Sequence, residues 1–207
     1  EVDALVKSAG RDAQPRQEGA ITDEQIRALN GELGLERVDN QGNPIDENGR
    51  LILEEVQSIS SLTDEDFTVP SRNVQLPPIP QNIDSAIGAN GKPVIIKKNV
   101  FVKNAKAHED LTANDGRAIL SEALYNPNLY GQNRKATRPY NWILIHLADK
   151  NSAVVLEVSE TKDNVEVVNW HYLRGNSLGQ KIRQAEREGG LILTLESAVG
   201  NTPNDLS

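Results

Sequence analysis

Alternating apolar and polar positions mark the second half of the chain as rich in β-strands. The runs NWILIHL, SAVVLEV and NVEVVNWHYL each alternate with a period of two, and only the short segments ADKN and SETKD separate them. Because a parallel crossover needs about a dozen residues, these connections predict antiparallel hairpins. Further strands are expected in PVIIKKNVFV, residues 93–102, and in LILTL, residues 191–195.

Helical spacing appears on either side of these strands. LTANDGRAILSEALYNP predicts a helix over 113–125 with Thr112 as its N-cap. SLGQKIRQAEREGG predicts a second helix, capped by Ser177, and TDEQIRALNGELG predicts a short one near the start of the chain. The order of elements predicts an α+β fold, with one antiparallel sheet of about four strands and helices packed on one face.

Alternation also predicts the two faces of this sheet. The face expected to carry the helices is wholly apolar and holds Ile143, Ile145, Leu147, Val154, Leu156, Val158, Val165 and Val167. The opposite face is mixed and holds Trp142, Leu144, His146, Val155, Glu157, Glu166, Val168, Trp170 and Tyr172. An uncovered face of this kind would expose an apolar patch, and such patches usually bind something.

Charge divides the chain into segments of different character. Lys and Arg minus Asp and Glu give about −10 for residues 1–70, about +5 for 71–140 and about −3 for 141–207. Four prolines in PSRNVQLPPIPQN predict an extended connection. We therefore expect an acidic, loosely structured and largely irregular N-terminal arm over 1–69 with one short helix, an α+β domain over 70–200, and a loose tail over 201–207.

Composition excludes several classes of site. The chain has no cysteine and three histidines without a short ligand spacing, so neither a metal site nor a cofactor is expected. No apolar run approaches the roughly 18 residues of a membrane span, and no signal peptide is visible. Because methionine is absent and the first residue is glutamate, we expect the chain to be part of a longer one.

The basic middle segment suggests contact with phosphate. Lys97 and Lys98, with Arg134 and Lys135 in the predicted basic loop YGQNRKATRP, could hold a phosphodiester backbone. Arg138, just before a strand, is better placed for bidentate phosphate contact. A solvated basic face is the alternative.

Two histidines and a glutamate are the candidates for acid–base chemistry. His108 precedes the 113–125 helix, and His146 lies on a predicted strand beside the strand that carries Glu157. A histidine and a carboxylate can transfer protons to and from a substrate. The alternatives are a surface histidine near a helix cap for His108 and a partly buried, hydrogen-bonded histidine for His146.

Several long stretches together resemble a known family. LPPIPQNIDSAIGANGKPVIIKKNVFVKNAKAH, RPYNWILIHL, VVLEVSETKDNVEVVNWHYL and KIRQAEREGGLILTL, within residues 70–197, are similar to barnase–EndoU–colicin–RelE-like nuclease domains. Such domains occur in large polyvalent proteins of phages and mobile elements of Bacteroidetes. The resemblance implies an antiparallel sheet with the active site on its open face, with His108 and Arg138 at positions typical of the family.

The function implied by the resemblance is a metal-independent endoribonuclease, an RNA-cleaving effector of a phage or mobile-element polyvalent protein. The expected catalytic residues are His108, Arg138, His146 and Glu157. Expected partners are RNA, with tRNA as one candidate, and an immunity or virion protein, and the expected location is a phage virion or the bacterial cytoplasm. The alternatives are a non-enzymatic virion or interaction module on a nuclease-like fold, and a toxin screened by its own acidic arm.

Overall fold

Eight strands form one mixed sheet in the computed structural model, with the order β1-β2-β3-β7-β6-β5-β4-β8. The structure describes residues 37–135, 138–149, 152–187 and 192–195, nearly all of which fall in a compact unit that begins at Val38. The strands are β1 Leu53–Glu55, β2 Asn73–Gln75, β3 Val94–Ile96, β4 Leu129–Lys135, β5 Arg138–Asp149, β6 Ser152–Glu160, β7 Val165–Arg174 and β8 Ile192–Thr194.

Five α-helices accompany the sheet in the described residues. They are α1 Asp64–Thr68, α2 Gln81–Ile87, α3 Lys98–Ala107, α4 Ala113–Tyr125 and α5 Ser177–Arg187, and a short 3₁₀ helix spans Ile59–Ser61. The helix predicted over 113–125 and the one predicted within SLGQKIRQAEREGG are observed as α4 and α5. The helix predicted within residues 22–34 lies outside the described residues.

The predicted sheet of about four antiparallel strands is wrong. β1 pairs with β2, and β3 pairs with β7, in parallel, whereas the other neighbouring strands are antiparallel. The additional strands β1 and β2 have three residues each, which is too short for an alternation pattern to be visible. β4 occupies most of the predicted basic loop.

Part of the predicted irregular arm also belongs to the folded unit. β1 lies in the sheet, and Val56, Leu62 and Phe67 are buried in the main core. Apolar side chains from this part of the chain therefore complete the core of the folded unit.

The three central strands form the predicted hairpins, but their faces differ from the prediction. Leu144 of β5 lies opposite Leu156 of β6, and both are in the main core. The β5 residues that are predicted to face away from the helices therefore face the main core. On β7 the register shifts, since Glu157 pairs with Asn169 whereas Val158 pairs with Val167. The extra residue is a β-bulge, which moves the following side chains to the other face.

Two apolar clusters lie on the two sides of the sheet. The main cluster joins α1, α3 and α4 to one face, where Phe67, Phe101 and Trp170 pack edge to face. The second cluster lies on the opposite face, where Leu178 of α5 packs against Ile143, Ile145, Ala153 and Val155. The prediction that helices pack on only one face of the sheet is therefore wrong.

Helix α3 replaces most of the predicted strand at 93–102. Val100, Phe101 and Asn104 are buried at helical spacing. Two buried asparagines accept hydrogen bonds from its first turn: Lys98 N donates to Asn73 Oδ1 and Asn99 N to Asn43 Oδ1, each at 2.9 Å. These distant side chains satisfy N–H groups that a helix start otherwise leaves unpaired.

Candidate functional site

Helix α3 runs along the part of the β7 edge that β3 does not cover. In the described residues β3 pairs with Val165 and Glu166 of β7. Farther along this edge, the buried Asn104 of α3 donates to Trp170 O and accepts from Trp170 N, both at 3.2 Å. The side chain thus takes the place of a neighbouring strand and fixes the C-terminal end of α3 beside β7.

This docking brings two histidines together. His108 is the C-cap of α3, and its ring stacks on that of His171 in β7, with the centroids 5.6 Å apart and the planes inclined by 15°. The sequence predicts a functional role for His108 but not for His171. No local signal links the two residues, because their proximity depends on how α3 meets the β7 edge.

Burial and neighbouring charges change the protonation of His171. Burial lowers its pKa to about 4, and the interactions with Lys181 and His108 act in the same direction, while Glu157 opposes them. The ring is therefore neutral at pH 7. Its Nδ1 lies 3.5 Å from the Asn169 amide nitrogen, at the outer limit of a hydrogen bond.

A lysine and a glutamate extend the polar group toward α5. Lys181 Nζ of α5 lies 2.8 Å from Glu157 Oε1 of β6, and both side chains are largely buried, with 16% and 13% exposed. Glu157 lies directly opposite Asn169. We call His108, His171, Asn169, Glu157 and Lys181 the histidine cluster.

Glu166, on the same face of the sheet as Glu157, has a lysine partner of its own. Lys97 Nζ lies 2.9 Å from Glu166 Oε1, and Glu166 pairs across the sheet with Ser159, two positions along β6 from Glu157. Each carboxylate is thus matched by a different lysine. This arrangement favours two ion pairs over two carboxylates that share a proton.

His146 lies on the other side of the sheet from Glu157. Its Nδ1 is 2.6 Å from Asn126 O, and its Nε2 is 3.2 Å from Glu122 Oε2. It pairs across the sheet with Val154 in the main core, whereas Glu157 pairs with Ile143 in the second cluster. The structure does not bring His146 and Glu157 together.

Arg138 begins β5, far from the histidine cluster along the strand. Ile145, Val155 and His171 lie in line across the sheet. Arg138 and Ile145 are roughly 23 Å apart along β5, at about 3.3 Å per residue. The backbone of Arg134 and Lys135 lies in β4, on the side of β5 away from the cluster. The side chains of these three basic residues lie outside the described part of the structure.

Lys98 lies apart from Lys97 and lines a groove. The groove has a volume of about 550 Å³ and lies between α3 and the turn at Gln41–Gly42. We call it the lysine groove; its walls are Gln41, Gly42, Lys98, Asn99, Val102, Lys103, Lys106 and Ala107. Of the two lysines predicted to bind phosphate, Lys97 is thus held in an ion pair, whereas Lys98 lies on an open surface.

Among the described residues, no three His, Cys, Asp or Glu side chains are grouped closely enough to hold a metal ion. In the same residues, no helix has the length and apolar character of a membrane span.

The described residues thus form a domain with a mixed eight-stranded sheet and five α-helices, which carries a polar, partly buried group of ionisable residues at a sheet edge. The chain belongs to the family described as large polyvalent protein-associated domain 13, whose model matches residues 46–185. No curated protein and no solved structure matches the chain. The predicted association with polyvalent proteins is therefore confirmed, whereas the family description names no nuclease.

Proposed function

We propose that this polyvalent-protein domain is a metal-independent endoribonuclease that acts at the histidine cluster. The observation that carries the proposal is the stacked pair His108–His171 beside the Glu157–Lys181 ion pair. Cleavage of RNA without metal needs a base, an acid and a cation, and these side chains supply all three types.

The reaction would proceed by attack of the ribose 2′-hydroxyl on the adjacent phosphorus. His171, neutral at pH 7 because burial lowers its pKa, accepts the 2′-hydroxyl proton as the O2′–P bond forms. The P–O5′ bond breaks, and His108 donates a proton to the leaving O5′. Lys181 stabilises the negative charge on the phosphorane that forms between these two steps. The products are a 2′,3′-cyclic phosphate and a free 5′-hydroxyl.

A cleavage assay in EDTA tests the proposal. Labelled tRNA and total RNA are incubated with the intact chain and with H108A, H171N and K181A. Each histidine variant should lose about 100-fold or more of the rate, the usual contribution of acid–base catalysis. K162A, an exposed lysine of the β6–β7 turn, is the matched control and should cleave as the original chain does.

Substrate chemistry provides a second criterion. An oligonucleotide with a 2′-deoxy sugar at the cleaved position should be resistant, because the attacking group is missing. Cleavage that survives both histidine substitutions would contradict the proposal, as would no cleavage of any RNA by a correctly folded chain. RNA binding without cleavage would instead favour the non-enzymatic interaction module.

A further inference from the structure

The lysine groove is formed by one side of α3. Val100, Phe101 and Asn104 point from the opposite side into the core and toward the β7 edge. Helical spacing therefore directs Lys98, Lys103 and Lys106 away from the core, toward the turn at Gln41–Gly42. The surface is separate from the histidine cluster, which lies beyond the C-terminal end of α3 on the β7 side.

Among the described residues, the charged side chains that line the lysine groove are all positive, although Asp39 lies in the adjoining turn and accepts a hydrogen bond from Gln41 N. Lys92 pairs with Glu160 and Lys97 with Glu166. Within the described part of the chain, Lys98, Lys103 and Lys106 take part in no ion pair, and no acidic residue lines the groove. Three uncompensated amines in a chain of net charge −8 make this a local site for an anion.

The dimensions of the groove suit a chain of phosphates. Lys98 and Lys106 are separated by about 12 Å along the helix axis, at about 1.5 Å per residue. A nucleic acid strand carries one phosphate per about 3.4 Å of duplex axis, and more widely spaced ones when extended. Three lysines along this length of helix can therefore contact two or three successive phosphates, while Val102 and Ala107 form an apolar floor beneath them.

We infer that the lysine groove binds single-stranded RNA through its phosphates. The inference rests on the proposed action on RNA, and it assigns to Lys98, Lys103 and Lys106 the part of substrate binding that is independent of base sequence. The groove lining contains no aromatic residue for base stacking, so binding should depend on charge and tolerate changes of sequence.

Fluorescence anisotropy with a 2′-O-methyl RNA oligonucleotide tests the inference, since this probe cannot be cleaved by 2′-hydroxyl attack. The K98A/K103A/K106A variant should bind at least tenfold more weakly at low salt. The slope of log affinity against log salt should fall by roughly 2, because each phosphate that a lysine neutralises on a single strand contributes about 0.7 to the slope. K162A should match the original chain in affinity and slope.

Two results would overturn the inference. One is an unchanged affinity and salt slope in the triple lysine variant. The other is equal binding of a polyglutamate peptide of the same charge, which would identify an acidic protein segment as the occupant.

Binding and cleavage can fail separately. H108A and H171N should keep their affinity for the 2′-O-methyl probe, because neither residue lines the groove. Loss of probe binding in the lysine variant, with no RNA cleaved by any chain, would refute the nuclease and retain the groove. Cleavage that depends on both histidines, with probe binding unchanged in the lysine variant, would refute the groove alone.

Discussion

Asn104 joins helix α3 to strand β7 by pairing its carboxamide with both backbone groups of Trp170. Its Nδ2 donates to Trp170 O and its Oδ1 accepts from Trp170 N, each at 3.2 Å. Only 4% of Asn104 and 2% of Trp170 are exposed. The amide side chain thus continues the hydrogen bonding of the sheet along the part of the β7 edge that β3 does not cover, and it holds His108 near His171.

Replacement of Asn104 by alanine should therefore destabilise the domain markedly. N104A leaves a buried N–H and a buried C=O of β7 without their partners, which costs about 1–3 kcal/mol for each unsatisfied group. Urea unfolding should show a decrease of at least about 2 kcal/mol in the unfolding free energy. N114A, an exposed asparagine of α4, is the control and should change stability by less than about 0.5 kcal/mol; equal decreases in the two variants would contradict the role of Asn104.

Two helical glycines should respond in opposite ways to alanine. A Cβ at Gly116 of α4 would overlap the buried ring of Phe67, whereas a Cβ at Gly179 of α5 would meet only the flexible end of Arg183. Alanine favours a helix over glycine by about 1 kcal/mol, but overpacking costs about 1–3 kcal/mol.

G116A should accordingly lower the thermal unfolding midpoint, and G179A should leave it unchanged or raise it. Differential scanning calorimetry on the two variants measures the difference. A higher midpoint for G116A than for G179A would show that the Phe67 ring moves aside at no cost.

Local signals in the sequence were sufficient for α4 and for the central hairpins. Thr112 caps α4, and Asp115 completes the capping box, so the start of this helix is encoded within a few residues. The strand order β5-β6-β7 follows from connections too short for a crossover. In both cases the deciding interactions lie close together in the sequence.

The remaining features depend on contacts between distant residues. The segment VIIKKNVFV, with three apolar residues on each side of KKN, is compatible with a strand, and α3 forms there because Asn43 and Asn73 bind its first turn. The β-bulge in β7, opposite Glu157 and Val158, turns the side chains beyond it to the other face of the sheet. The alternation of β7 in the sequence gives no sign of this bulge. The stacking of His108 on His171 is a consequence of these same long-range contacts.

Arg72 should be more important for stability than an ordinary surface cation. Its Nε and Nη2 donate to the two carboxylate oxygens of Asp66, both at 2.8 Å, and its Nη1 donates to Glu54 at 2.7 Å. Burial by itself would raise the pKa of Asp66, but the hydrogen bonds from Arg72 and Thr63 and the charge of Arg72 hold it below its ordinary value. Asp66 is thus a charged group that is 4% exposed and relies on its partner.

R72A should lower the unfolding free energy by about 3 kcal/mol at pH 7, because it leaves the Asp66 carboxylate buried and unpaired. E54A is the control, since the Glu54 side chain is 57% exposed and exposed ion pairs contribute at most about 1 kcal/mol. Because the pKa of Asp66 is lowered in the folded state, its contribution is present above its ordinary pKa of 3.8 and is lost as the pH falls below it. A decrease in R72A no larger than that in E54A would contradict this account.

His171 should make the stability of the domain fall at mildly acidic pH. Its pKa is about 4 in the folded chain, against an ordinary value of 6.5, chiefly because of burial. Between these two values the unfolded chain binds the proton and the folded chain does not, so protonation favours unfolding. The contribution of the neutral ring is present above pH 6.5 and decreases as the pH falls toward 4.

Urea unfolding from about pH 7.5 to about pH 4.5 should therefore show a steeper decrease in the unfolding free energy for the original chain than for H171N, and NMR titration of the His171 ring should show no protonation at about pH 5.5. A ring that titrates near pH 6.5, or identical pH profiles for the two chains, would mean that burial does not keep His171 neutral at mildly acidic pH.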